Sequence, residues 1–203
     1  MKNLINIQSI LAFSIGLTGT LILASSCSEK TVDSKEVAEN ENVDKLTADD
    51  QTIVVIDNDS GVKFLMDAAE MQLEEISLGK LAQKKGTASD VKELGKMMEA
   101  DHTQSFTEIS ALAQSKAVSI PTSVTEDSKD VYTKLEEKTG NDFDKTYSEM
   151  MVEHHEDAID LFEKASTDSE DPAIKTWANS KLPGLKTHLD HAKACKEKRK
   201  DAL

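Results

Sequence analysis

The chain has 203 residues, 31% of them charged, and a net charge of -14. A surface this acidic repels nucleic acid and anionic headgroups, so neither is expected as a partner. Three prolines and eight glycines are too few for a loop-rich or all-β chain, and the length suits one folded domain with extensions.

The N-terminus reads as a targeting segment. Lys2 gives a positive start, and an apolar run from Ile10 to Leu23 ends in Ala24-Ser25-Ser26-Cys27. The run is short for a spanning helix and ends in small residues, as a signal peptide does. Its last residues resemble a bacterial lipobox, with Ala24 where an aliphatic residue is more usual. The expectation is a signal over 1–26, lipid on Cys27 as the membrane attachment, and an envelope location. Ser28 after the Cys resembles outer-membrane sorting. With Cys27 acylated, Cys195 has no partner and a disulfide framework is excluded; Cys195 is expected at the semi-exposed surface of a charged helix.

Residues 27–60 are acidic and poor in large apolar side chains, which predicts a flexible tether. Thr52-Ile53-Val54-Val55-Ile56 interrupts it as a short β-prone run. From 61 onward a three- and four-residue periodicity predicts helices. The first runs from about Gly61 to Lys85, with Phe64, Ala68, Met71, Glu75, Leu78 and Ala82 on one face. Gly86 ends it, and Thr87-Ala88-Ser89-Asp90 resembles a capping box. The second runs to about Lys116 on Val91, Leu94, Met98, His102 and Ile109. A break at Pro121 precedes a short helix over 125–138. A third long helix covers about 142–166, with Phe143, Tyr147, Met150, Met151, Ala158 and Phe162 inward. Asp171-Pro172 starts the fourth, which carries Pro183 inside it and ends in a charged tail over 199–203. Together these predict an all-α fold: an antiparallel four-helix bundle over 61–198 with a short extra helix in the crossover.

Glu75, His102, His155 and His188 supply one candidate ligand per long helix, each on or beside an apolar face. Inward side chains from facing helices are the usual way a bundle holds a metal. Imidazole and carboxylate donors suit zinc, iron, copper or nickel. Asp101 and His154 are candidates for support. Met98 lies four residues before His102, and Met150 and Met151 four before His154 and His155, so these sulfurs share a face with the imidazoles. The periodicity places His154 nearer the centre of the apolar face than His155. Offsets from the turns leave the four candidates about one helical turn out of level. Structural histidines paired with carboxylates are the competing reading. No nucleophile motif, phosphate loop or nucleic-acid signature is present, so a binding role is favoured over an enzyme.

The chain from Phe64 to Ala192 resembles the domain of unknown function 4142 family of exported, ferritin-like bacterial proteins. The matching stretches are Glu75–Ala82, Met98–Thr103, Phe143–Tyr147, Met151–His155 and Leu182–His188. The resemblance implies a ferritin-like four-helix bundle in the cell envelope and no established activity. The family tends to carry Asp where this chain has His154, which makes His155 the equivalent of the family His. Met151–Ile159 is also similar to the histidine-pair motif of the family numbered 305, some of whose members are associated with copper. That keeps Met98 and Met151 as candidate soft ligands. A ferritin-like oxidoreductase needs two Glu-x-x-His pairs; Glu99-Ala100-Asp101-His102 supplies one and the second is missing. The expectation is therefore a metal-binding envelope lipoprotein for capture, buffering or sensing. The alternatives are a non-metallic stress or interaction module, and then an oxidoreductase.

Overall fold

The computed structural model describes residues 32–48 and 60–200, and every described element is a helix. They are α1 (Ser34–Ala48), α2 (Ser60–Lys85), α3 (Ser89–Ser115), α4 (Glu126–Glu136), α5 (Gly140–Asp168) and α6 (Pro172–Lys198). No helix among the described residues is long and apolar enough to cross a membrane. The signal segment, Cys27, the β-prone run at 52–56 and the last three residues lie outside the described residues.

Four long helices pack chiefly as two pairs, α2 on α3 and α5 on α6, with α3 also meeting α6 and α2 meeting α5. Two apolar clusters hold them. One gathers Leu78 and Leu81 of α2, Leu94 and Met98 of α3, Phe143, Tyr147 and Met151 of α5, and Ala192 and Cys195 of α6. The other gathers Phe64, Leu65, Ile109, Ala158, Phe162, Ile174 and Ala178. Along α2 and α6 the second cluster comes first in sequence; along α3 and α5 it comes last. Each pair therefore runs in opposite senses. Between the clusters every long helix places a buried polar residue: Gln72 and Glu75, His102, His155 and His188. A polar layer thus divides the core.

Local chemistry fixes the joints. Gly79 and Gly95 let α2 and α3 approach closely. A Cβ on Gly79 would lie 2.6 Å from the Gly95 carbonyl oxygen, and one on Gly95 would lie 2.7 Å from that of Gly79. The expected capping box at 87–90 does not form: Ala88 is the N-cap and no side chain of its own segment caps it. Instead the buried Asp144 of α5 accepts from the backbone N–H groups of Thr87 (2.9 Å) and Ala88 (2.8 Å) and from the Thr87 hydroxyl. A carboxylate at a helix N-terminus also meets the positive end of the dipole. Asp171 does cap α6, accepting from Ala173 and Ile174, with Pro172 following it. α6 runs through Pro183 without interruption.

Two expectations need correction. Of the stretch read as a flexible tether, Ser34–Ala48 forms α1, which lies against α2 and the segment around Ser119. Composition argued against order because apolar residues are scarce, but polar contacts do much of the holding. Asn42 donates to the Ser119 carbonyl (2.8 Å) and accepts from the Ser119 N–H (2.6 Å). Lys35 pairs with Asp67 and Glu70, and Ala38 packs near Val62 and Met66. Cys195, expected near the surface, is buried in the first cluster. Its thiol faces the Asp90 carbonyl, and burial pushes it up to about 11, which leaves it protonated and unreactive at neutral pH.

Candidate metal centre

His102, His155 and His188 arrive from three helices at one level. Their ring centroids form a near-regular triangle with sides of 5.6, 5.3 and 5.3 Å. One donor atom of each lies within 4.8 Å of the other two, and all three residues are buried. Hydrogen-bond accounting identifies which nitrogens remain as acceptors. His155 Nδ1 sits 2.8 Å from the Met151 carbonyl, which only accepts, so Nδ1 carries the proton and Nε2 the lone pair. His188 Nε2 sits 2.9 Å from the Asp101 carboxylate, so in the neutral ring Nδ1 holds the lone pair. His102 Nδ1 meets Gln72 Oε1 at 2.7 Å. The Gln72 amide nitrogen is committed to the Ala68 carbonyl, which fixes its oxygen as acceptor and leaves His102 Nε2 bare.

Each imidazole is thus oriented from behind by a carbonyl, an amide oxygen or a carboxylate. Such partners set the tautomer and ring angle of metal-binding histidines. In front, His155 Nε2 and His188 Nδ1 are 3.3 Å apart, and His102 Nε2 is buried with no hydrogen-bond partner. In the neutral rings two lone pairs face one another and a third is orphaned. A cation between them would resolve both defects. Tetrahedral ligation with metal–nitrogen bonds of about 2.0–2.1 Å puts nitrogens roughly 3.3–3.4 Å apart, close to the His155–His188 spacing. Burial depresses His102 to about 3 and shifts His155 downward as well, so both rings are neutral at pH 7. Neutral imidazole is the form that binds metal.

Glu75 is buried but does not join the triangle. Its Oε1 is 2.9 Å from His154 Nδ1, and Glu74 is also within 3.4 Å of that nitrogen. Burial disfavours charge on both partners, yet each outweighs that penalty for the other: Glu75 is lowered to about 2 and His154 is raised. The pair is ionic. The remaining oxygen, Glu75 Oε2, is buried without a partner, as is the Tyr147 hydroxyl. His154 is half-buried at the flank, so the inward histidine of α5 is His155, against the periodicity and in line with what the family resemblance implied. Asp101 stands behind His188, its carboxylate 2.9 Å from Nε2. Met98 and Met151 are fully buried among Leu78, Leu81 and Tyr147 in the apolar cluster, the surroundings of packing residues. Gln72 was missed. It falls fourteen residues before Gly86, nearer the sixteen of His102 after it than the eleven of Glu75.

A cleft of about 190 Å³ reaches this group between α3 and α6; His102, His188, Asp101, Lys181 and Gly184 are among its lining.

Residues 38–195 match the family described as "Domain of unknown function (DUF4142)", and the chain belongs to it, as its motifs implied. The match begins inside α1. Neither a curated protein nor a solved structure matches the chain.

Proposed function

We propose that this protein is a lipid-anchored envelope protein whose four long helices form a ferritin-like bundle around one transition-metal ion, held by His102, His155 and His188. The observation that carries the reading is the convergence of three imidazole lone pairs, each ring fixed from behind by an acceptor. Burying three imidazoles and leaving one nitrogen unpaired costs stability; a bound cation would offset that cost. The opposed senses of α2/α3 and α5/α6, with α4 in the long connection, support the bundle. Three neutral nitrogens suit zinc, copper, iron or nickel. Asp101 and Gln72 hold the ligands' orientation, and the Glu75–His154 pair sets a neutral ionic neighbour beside them. Capture, buffering or sensing fits a site whose converging donors are all imidazoles better than di-iron oxidation, which wants several carboxylate ligands.

The test is elemental analysis of purified protein, followed by thermal melts with Zn(II), Cu(I), Cu(II), Fe(II) and Ni(II). A metal at a hundredfold over its Kd should add about 2.7 kcal/mol of stability. His102→Ala with His155→Ala should abolish that gain, while His191→Ala, at an exposed site, should keep it. Wild-type melts that no metal shifts would refute the reading. The structural alternative draws on the fact that all three rings do have one hydrogen bond; it predicts a destabilised double mutant and no metal response. For the anchor, mass spectrometry of the exported protein should find Cys27 acylated, and Cys27→Ser should release it from membranes.

A further inference from the structure

We infer that the metal held by the three histidines keeps one coordination position open to the cleft between α3 and α6, where it takes an exchangeable small monovalent anion, and that Gly184 keeps the entrance clear. The inference rests on the metal reading above and specifies what the site does with its fourth position.

The protein offers three converging nitrogens, and tetrahedral coordination needs a fourth donor. Glu75 does not supply it in this geometry: its Oε1 is committed to His154, and although its Oε2 has no partner, the residue stands outside the set of donors that lie within 4.8 Å of one another. The cleft, by contrast, reaches two of the three rings directly. His102 and His188 line it, and His102 carries the unpartnered Nε2. Its volume of about 190 Å³ holds several molecules the size of water, each of which occupies about 30 Å³.

Charge selects the occupant. Three neutral imidazoles leave a divalent ion with its full charge in a low-dielectric core. The Glu75–His154 pair is neutral as a unit, while Asp101 behind His188 places one exposed negative charge on the cleft wall. Lys181 on the cleft wall is paired with Glu108. A divalent metal therefore exceeds the single negative charge of Asp101, and one monovalent anion entering the cleft neutralises the remainder.

Gly184 has no structural need to be glycine. Its φ is not positive, and a Cβ there would meet nothing within 4 Å. In a helix interior glycine is less favourable than alanine by about 1 kcal/mol. What glycine does at this position is leave the cleft wall bare.

Full-length protein loaded with Co(II) as a spectroscopic probe tests this. Co(II) binding should produce visible ligand-field bands, and sodium azide should shift them saturably. Gly184→Leu should keep the Co(II) bands and weaken the azide response at least tenfold; Gly184→Ala should leave it within about twofold. If Gly184→Leu loses helical signal, Gln104→Phe, which narrows the cleft from α3, takes its place with the same expectation. Co(II) bands that azide does not move would overturn the inference and leave the metal reading intact, with Glu75 then the candidate fourth donor. An azide response unchanged in the filled cleft would also overturn it. No Co(II) bands at all would sink both.

Discussion

Lowering the pH from 6.5 to 5.0 should destabilise the metal-free protein by about 1.6 kcal/mol through His102 alone. In the unfolded chain this ring titrates near 6.5; in the folded state burial holds it near 3. Below 6.5 the unfolded state therefore binds a proton that the folded state does not. The slope reaches about 1.36 kcal/mol per pH unit once the unfolded ring is fully protonated and is half that at 6.5, which integrates to roughly 1.6 kcal/mol over 1.5 units. His155 is shifted in the same direction and adds to the loss. The ionic pair acts in other windows. His154 is raised, so its contribution is complete below its unfolded pKa and is lost only as pH rises through its folded one. Glu75 is lowered from 4.5 to about 2, so its contribution is complete above 4.5 and fades as pH falls toward 2. Between 5.0 and 6.5 the buried neutral rings dominate this layer. Urea denaturation followed by far-UV circular dichroism, with chelator present, measures it at both pH values. His102→Gln should remove about 1.6 kcal/mol of the difference. A wild-type stability that is flat over this interval, or a slope that His102→Gln leaves intact, would refute the assignment of a buried, neutral His102.

Two further substitutions test the scaffold. Asp144→Ala strips the α3 N-terminus of the acceptor for two backbone donors and a hydroxyl, and should cost about 1–3 kcal/mol in chemical denaturation, whereas Asp144→Asn should recover part of it. Gly95→Ala gains helix propensity but drives a methyl toward the Gly79 carbonyl at 2.7 Å and the Ala82 methyl at 2.8 Å; thermal melts should show a net loss, since overpacking costs about 1–3 kcal/mol against roughly 1 gained.

The helices from 60 to 198 were legible because they are long, amphipathic and punctuated. Gly86, Thr125, Gly140 and Asp171-Pro172 mark their ends, and the observed boundaries lie within two residues of those the pattern gives. What escaped the sequence was held by contacts distant along the chain. α1 has almost no apolar face and is fixed by Lys35 and Asn42 to α2 and to Ser119, seventy-seven residues beyond Asn42. The α3 cap comes from Asp144, fifty-six residues after Ala88. A composition rule and a local cap rule are blind to partners of that kind.

The candidate centre was half legible for the same reason. Each long helix shows a polar residue where its apolar face should continue, and that alone drew attention to His102, His155 and His188. Level and rotation were harder. On α5 the buried sequence is Tyr147, Met151, His155, Ala158 and Phe162, a run of steps of four, four, three and four. Counting Met150 as inward tilts that run by one position and selects His154. On α2 the level opposite His102 belongs to Gln72, and reading Met71 as inward hid it. A ligand set needs rotation and height together, and one extra apolar residue at the flank of a helix shifts the rotation enough to exchange a ligand for its neighbour. His154 and Glu75, one step from the triangle in each coordinate, found each other instead: two charges that the core tolerates only as a pair, set beside three buried imidazoles.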